Sequence, residues 1–387
     1  MHYVHRACEP LVERAAGSFS AVLITGPRRS GKTTLLRKLF PKAEYVLLED
    51  PDVVSRVRAD PRQFVSSLRS PVILDEIQNT PELFAYIRTR IDQEPSVNGR
   101  WLLTGSQEAP LMRGVSESMA GRVALFSLFP FSREEHPAVD LLTGGFPEVI
   151  EQADVADLWF RSYVQTYLER DVRAVAAIRD LTVFRRFVGL LASRCGSMLN
   201  KTDIAAPLGV SVPTVSQWLS ILEVTGQIIL VQPFFENFGK RLVKTPKLYF
   251  VDSGLACHLV GIRDRESLDR SPFRGALFEG AVAAEIIKAR VNRGLDRSLY
   301  YFRDRQGLEV DFVVDLGNRR LSLIEAKAGE TPRPGDATGI KRLARAVGRY
   351  KAGSALIHQG DPAVGSALSP GVEAVPFNGS WVEQWVL

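Results

Sequence analysis

The sequence predicts an α/β protein, in which a parallel sheet built around a glycine-rich loop and a helical lid is followed by a winged helix and a second α/β domain. Three observations predict it. The apolar run Ala21 to Thr25 leads through Gly26-Pro27-Arg28-Arg29-Ser30-Gly31-Lys32-Thr33 into a helix-forming stretch that opens at Thr34. Between Asn200 and Val251, two capped helical stretches precede two strand-like runs. Near the C-terminus, Leu308 to Asp315 alternates like a strand, and after a turn Leu321 to Lys327 alternates again.

The glycine-rich stretch has the form G-x-x-x-x-G-K-[ST] between a strand and a helix, and in that order each position has work to do. Backbone N–H groups of the loop and helix start, Gly26 through Thr34 apart from Pro27, are expected to cradle phosphates, Lys32 to reach the terminal phosphates, and the Thr33 hydroxyl to ligate Mg²⁺. A decorative glycine turn is the alternative, and the flanking strand and helix argue against it. The apolar run Pro71 to Leu74 ends in Asp75-Glu76, as a buried parallel strand does when its carboxyl end faces a nucleotide. Asp75 is expected in the Mg²⁺ shell and Glu76 as the group that orients the attacking water; a pair capping the next helix is the alternative. A third run, Arg100 to Gln107, ends in small polar groups, of which Thr104 or Ser106 is a candidate γ-phosphate sensor.

Composition sets the outer limits. A chain of 387 residues, 45% hydrophobic and 24% charged, buries substantial cores and divides into two or three domains. The 49 basic residues against 44 acidic ones leave +5, compatible with a polyanionic partner but common in proteins that bind none. Cys8, Cys195 and Cys257 stand far apart, so neither a disulfide framework nor a zinc site is indicated and a cytoplasmic location is expected. No apolar run approaches the ~20 residues of a membrane helix, and the N-terminus lacks a signal-peptide core, so no membrane partner is expected.

In chain order, the residues before Ala21 form a short amphipathic helix with Leu11, Val12 and Ala15 on one face. Tyr45 to Leu48 is a second strand, closed by an acidic turn whose Asp50 suits a helix cap better than a nucleotide sensor. Helical stretches at Phe64 to Leu68 and Pro81 to Ile91 alternate with these strands, which predicts a mainly parallel sheet covered on both faces. Arg122 follows the third strand, where an arginine finger completing a neighbour's site or a plain surface arginine is expected. Beyond Gly144-Gly145-Phe146-Pro147, a helical run through Tyr163 to Asp171 reads as a lid from which Arg170 or Arg173 is a candidate to reach the nucleotide.

Taken together, Gly26 to Thr33, Leu74-Asp75-Glu76-Ile77-Gln78, Leu103 to Gln107, Ala120-Gly121-Arg122, Gly144 to Pro147 and Tyr167 to Asp171 resemble the AAA+ ATPase family AAA_14 with its DUF4143 C-terminal region. The resemblance covers essentially the whole chain; the connection between Ser132 and Gly144 departs from it in being shorter than in the family, which leaves the entry to the lid open. It implies an AAA+ core, a winged-helix segment, a nuclease-like C-terminal domain and a tendency to form rings.

The middle region supports the winged helix independently. Asn200 caps one helix, Gly209 breaks the chain, and Ser211 caps a second helix with Val215, Leu219 and Leu222 on one face and Thr214, Ser216, Gln217 and Ser220 on the other. Thr214 and Gln217 are candidates to enter a DNA groove, and Lys240, Arg241, Lys244 and Lys247 are candidate phosphate contacts on the wing. A protein-packing role for this fold is the alternative.

Further on, Asp311 on one strand and Glu325 with Lys327 on the next form a D…E-x-K set that resembles the PD-(D/E)XK nucleases. Asp311 and Glu325 are expected to bind a hard cation and Lys327 to steady water, with Glu279 as a fourth group. Charges on a solvated sheet face are the alternative.

The expected organisation is 1–135 ATPase core, 136–190 lid, 191–262 winged helix and 263–387 nuclease-like domain. The expected function is an ATP- and Mg²⁺-dependent machine that assembles as a hexameric ring on double-stranded or branched DNA. The rival is a nucleotide-gated switch that holds a protein partner, its nuclease fold inactive.

Overall fold

The computed structural model describes residues 3–105, 118–168, 181–234, 245–360, 367–378 and 380–387. The chain forms two compact units, one made of Met1–Pro130 with Val224–Gly226 and Val291–Leu295, the other of the remaining residues.

In the first unit, five short strands β1 (Ala21–Thr25), β2 (Glu44–Leu47), β3 (Val72–Asp75), β4 (Trp101–Thr104) and β5 (Val123–Ser127) form one sheet in the order β2-β3-β4-β1-β5. Every pairing is parallel. The period of two is visible in what each residue touches. Ala21 and Leu23 pack with Leu74, Ile87 and Leu103, whereas Val22 and Ile24 pack with Leu35, Leu36, Ile73 and Leu102. Helices therefore cover both faces, and β1, β3 and β4 are buried along their whole length, as continuous apolar runs in a parallel sheet require.

The N-terminal helix is Glu9–Ala16, with Val12, Ala15 and Ala16 buried. Asp50 is a cap: its carboxylate accepts from Asp52 N at 2.8 Å at the start of the helix Pro51–Ala59. β5 was not signalled by the sequence pattern, because an edge strand is covered less completely and its central Leu125 stays exposed. Since all five strands run the same way, the ends of β1, β2, β3 and β4 meet at one edge of the sheet, the crevice where parallel α/β sheets bind ligands.

In the second unit, Phe146, Trp159, Phe160 and Tyr163 stack against one another around the helices Pro147–Glu151 and Ala156–Tyr163. The helices Lys201–Leu208 and Val212–Val224 follow, turned 109° from each other. The Asn200 side chain caps the first, Gly209 ends it at φ +66°, and the Ser211 hydroxyl accepts from Thr214 N at 3.2 Å at the start of the second. This is a helix-turn-helix. No single described helix is long and apolar enough to cross a membrane.

Among the described residues, eight strands complete the unit: β6 (Ile228–Pro233), β7 (Lys247–Phe250), β8 (Leu299–Arg303), β9 (Glu309–Asp315), β10 (Arg320–Lys327), β11 (Lys351–His358), β12 (Ala367–Ser369) and β13 (Val372–Pro376). They form one mixed sheet, β12-β13-β11-β10-β9-β8-β6-β7. The hairpin β6–β7, expected as a free wing, joins this sheet through β8, with Gln232 opposite Tyr300 and Pro233 opposite Tyr301. On one face, Leu323, Leu356 and Val310 pack on Ile340 and Leu343 of the helix Thr338–Ala346. The helix Arg274–Asn292 carries Phe278, Val282, Ile286 and Ile287, all buried.

Candidate functional site

The glycine-rich loop leaves β1 at Gly26, whose φ is +133° and where an added Cβ would stand 2.2 Å from the Leu128 carbonyl oxygen, so glycine alone fits. Arg29 at φ +63° and Gly31 at φ +94° are left-handed, and they curl the loop before the helix Lys32–Leu39 begins. Arg6 braces it from the N-terminal segment, donating to Ser30 O at 2.9 Å and to Phe129 O at 2.7 Å. The buried Lys32 ammonium donates to the loop's own carbonyls, Gly26 at 3.1 Å and Pro27 at 2.8 Å. Ser30 Oγ is buried without a hydrogen-bond partner among the described residues, so the loop holds an unspent donor as well as its backbone amides.

Asp75, at the end of β3, gathers hydroxyls from three other elements. Thr33 Oγ1 donates to its two carboxylate oxygens at 2.9 and 3.0 Å, Tyr45 OH at 2.8 Å, and Thr104 Oγ1 donates as well. Burial raises the Tyr45 phenol above its ordinary pKa, with the Asp75 carboxylate adding to the effect, so it stays a donor. Glu76 sits in a left-handed conformation, φ +60° and ψ +49°, and makes no side-chain cap bond to the turn Ile77–Asn79, which removes the capping alternative. Its amide donates to Thr104 Oγ1 at 3.1 Å. Its carboxylate accepts from Gln78 Nε2 and stands 3.5 Å from the Arg28 guanidinium.

The expected residues Gly26 to Thr33, Asp75, Glu76 and Thr104 are thus brought to one sheet edge. The Thr33 hydroxyl beside the Asp75 carboxylate is a pair of hard oxygen donors that fits Mg²⁺. Sequence reasoning missed Tyr45, and it assigned Arg28 only to the phosphate cradle. Ser106 lies outside the described residues. Arg122 lies at the amino end of β5, with its carbonyl accepting from Ala21 N, and its side chain pairs with Asp92 at 2.7 Å.

The second unit holds another cluster. β9 and β10 are antiparallel with Ile324 opposite Phe312, a register that brings Asp311 beside Glu325. Asp311 Oδ2 accepts from Ala326 N at 3.0 Å, and Lys327 Nζ donates to Glu325 Oε1 at 2.7 Å. Glu279, from the helix Arg274–Asn292, faces the same group and accepts from Tyr249 OH. The expected D…E-x-K set and its fourth carboxylate do meet.

Two expectations need correction. Lys247, expected as a phosphate contact on an exposed wing, is 3% exposed on β7, because the hairpin is part of the sheet and faces the carboxylates. Its ammonium stands 2.9 Å from Glu279 Oε1, 2.7 Å from Glu309 Oε1 and 3.8 Å from Asp311 Oδ1. Glu279, Asp311 and Glu325 were expected to share a metal. As they stand, the ammonium lies among the carboxylates, and among the described residues no three acidic, histidine or cysteine side chains are placed to hold one ion. The residues in this arrangement do not fit a metal. Lys240, Arg241 and Lys244 lie outside the described residues, as do Arg170 and Arg173. Thr214 is half-buried and Gln217 exposed on the second helix of the helix-turn-helix.

Burial and the Asp311 charge push the Glu279 carboxyl up to about 7 and the Glu325 carboxyl up to about 8, and burial raises Asp311 too. For Lys247, burial pulls down, but Glu279, Asp311 and Glu309 outweigh it and hold the ammonium charged.

Residues 18–136 match an AAA domain family, AAA_14; residues 139–266 match a domain of unknown function, DUF8612; residues 274–378 match another, DUF4143. The chain is 33% identical over 328 residues to "Uncharacterized protein Rv2008c" of Mycobacterium tuberculosis and, with the same figures, to "Uncharacterized protein Mb2031c" of Mycobacterium bovis, covering 83% of this chain and 73% of each relative. Among solved structures it is similar to a Walker-type ATPase of Pyrococcus abyssi, at 18% identity and TM-score 0.43 over 65% of this chain and 94% of that one. It is also similar to AMPPCP-bound DnaA of Aquifex aeolicus, at 16% identity and TM-score 0.30 over 56% and 85%. The chain belongs to the AAA-type P-loop ATPases that carry a DUF4143 C-terminal domain.

Two outcomes follow from these geometries. Glu76→Gln is expected to lower ATP turnover by on the order of 10²- to 10⁴-fold while ATP binding persists, since the phosphate loop and Asp75 are untouched; Lys32→Ala should instead weaken nucleotide binding. Steady-state turnover alongside nucleotide titration separates the two.

The second outcome concerns pH. Glu279 and Glu325 hold protons more tightly when folded, so their contribution to stability is complete below the unfolded carboxyl range and is lost as pH rises through about 7 and 8. The melting midpoint should fall between those limits, and Glu325→Gln should flatten that fall in calorimetry.

Proposed function

We propose that this chain hydrolyses ATP and assembles as a homohexameric ring on double-stranded or branched DNA, with 1–135 as ATPase core, 136–190 as lid, 191–262 as winged helix and 263–387 as a nuclease-like domain. The observation that carries hydrolysis is the joining of Thr33, Asp75, Thr104 and Glu76 at one sheet edge through the hydrogen bonds of Asp75 and the Glu76 amide. Mg²⁺, when bound with ATP, neutralises the charge that develops on the terminal phosphates. Thr33 and Asp75 are the residues that would hold it.

Lys32 exchanges the Gly26 and Pro27 carbonyls for phosphate oxygens, which are better acceptors for an ammonium. Thr104 fixes the Glu76 backbone. Glu76, once parted from Arg28, orients the attacking water.

Arg122 supports assembly. It precedes Val123, the β5 residue in register with Ala21, whereas the phosphate loop follows Thr25 at the opposite end of β1. Four strand residues separate those ends by about 13 Å. In a ring Arg122 therefore acts on a neighbour's γ-phosphate, not on its own. The helix-turn-helix, with Gln217 exposed and Thr214 at its edge, supports a DNA partner, and Lys240, Arg241 and Lys244 are the basic residues that follow β6. Buried free thiols at Cys8, Cys195 and Cys257 support a reducing cytoplasm.

Mixing Arg122→Ala subunits with Lys32→Ala subunits should recover part of the lost turnover, because some interfaces then pair an intact arginine with an intact loop; two inactive populations that stay inactive together, or a fully active monomer in light scattering, would refute the ring. DNA should accelerate hydrolysis. Neutralising Lys240, Arg241 and Lys244 should flatten log affinity against log salt by about one unit per lost contact, while Gln217 substitutions leave that slope alone. An unchanged slope in fluorescence anisotropy would move the DNA contact elsewhere.

A further inference from the structure

The D…E-x-K cluster holds its own counter-ion. Lys247 Nζ lies 2.9 Å from Glu279, 2.7 Å from Glu309 and 3.8 Å from Asp311, and its side chain is 4% exposed. Tyr249 OH adds a second donor to Glu279, Ala326 N occupies Asp311 Oδ2, and Lys327 occupies Glu325 Oε1. All of these except the 3.8 Å approach to Asp311 have hydrogen-bond length. A hard divalent ion such as Mg²⁺ draws carboxylate oxygens to about 2.1 Å. A dication placed beside a fixed ammonium a few ångströms away would be repelled strongly enough to weaken its binding by a factor of about a hundred or more.

We propose that the Lys247 ammonium is the resident cation of this centre, standing in for a divalent metal among Glu279, Asp311 and Glu309, so that the C-terminal sheet is held metal-free. The proposal rests on the nuclease-like reading of residues 263–387 and specifies how that centre is silenced. The stand-in cation comes from the first residue of β7, so the strand that closes the winged-helix hairpin also closes the centre. Removing the ammonium leaves Glu279 and Asp311 buried without the charge that compensates them, and a divalent ion then becomes their best available partner. Lys247 is a positioning residue here, since it holds carboxylates and touches no substrate.

The test uses the nucleotide-free full-length chain and Mn²⁺, followed by electron paramagnetic resonance and by the melting midpoint. Lys247→Met is expected to gain one Mn²⁺ site per chain, about a hundredfold tighter than anything wild type shows at the cluster, with a midpoint that rises on adding Mn²⁺. Asp311→Asn in the same chain should remove that site. Lys247→Arg, which keeps a cation, should behave as wild type. Lys247→Gln keeps two N–H donors while losing the charge, and it carries the test if Lys247→Met does not fold.

A wild-type chain that already binds Mn²⁺ in an Asp311-dependent way overturns the proposal. So does a neutral variant that folds and gains no site, and so does Lys247→Arg gaining the same site as Lys247→Met. Offering linear, nicked and branched DNA to the Mn²⁺-loaded neutral variant separates the underlying reading. A metal gained without cutting refutes the nuclease-like reading and leaves the resident cation standing.

Discussion

The Asp75 carboxylate is the point on which the first unit turns. Thr33 reaches it from the helix after β1, Tyr45 from β2 and Thr104 from β4, so one buried anion at the end of β3 ties together four neighbouring parts of the sheet edge. Hydrogen bonds to a charged acceptor are stronger than neutral ones, and a buried carboxylate that loses them bears the desolvation cost uncompensated. The parallel order of the sheet makes the arrangement reachable, because it delivers those strand ends to the same edge. Loop curvature, the Glu76 backbone and the bracing by Arg6 all sit around that fixed point.

The two acidic centres solve the same electrostatic problem in opposite ways. Asp75 is satisfied by hydroxyls, which stabilise its negative charge without cancelling it, so it keeps its attraction for a cation. Glu279, Asp311 and Glu309 are satisfied by an ammonium, which cancels charge where it sits. Burial then raises Glu279 and Glu325 towards neutrality, which further reduces their pull on a metal. The first centre thus keeps an uncancelled carboxylate beside a hydroxyl, while the second already holds a cation of its own.

The continuity of the C-terminal sheet with the hairpin also fixes what the helix-turn-helix is attached to. The helix-turn-helix feeds directly into β6, and β6 pairs with β8 of the larger sheet, so the exposed Gln217 face and the carboxylate cluster belong to one packed body.

Local order along the chain was enough to foresee the glycine loop, the Asp75-Glu76 strand end, the Asn200 and Ser211 caps, and the facing of Asp311 with Glu325 and Lys327. Each depends on neighbours within a turn, or on the period of two that a strand imposes on residues a few positions apart. Tyr45 on Asp75, Arg28 on Glu76 and Lys247 among the carboxylates were settled by the packing of elements. Their partners lie 30, 48, 32 and 64 residues away for Tyr45–Asp75, Arg28–Glu76, Lys247–Glu279 and Lys247–Asp311. A basic residue in a turn-rich stretch has the same local signature whether it meets solvent phosphate or a buried carboxylate. What separates the two is whether β6 and β7 project as a wing or join β8, and that is decided by strand pairing, which no run of neighbouring residues encodes.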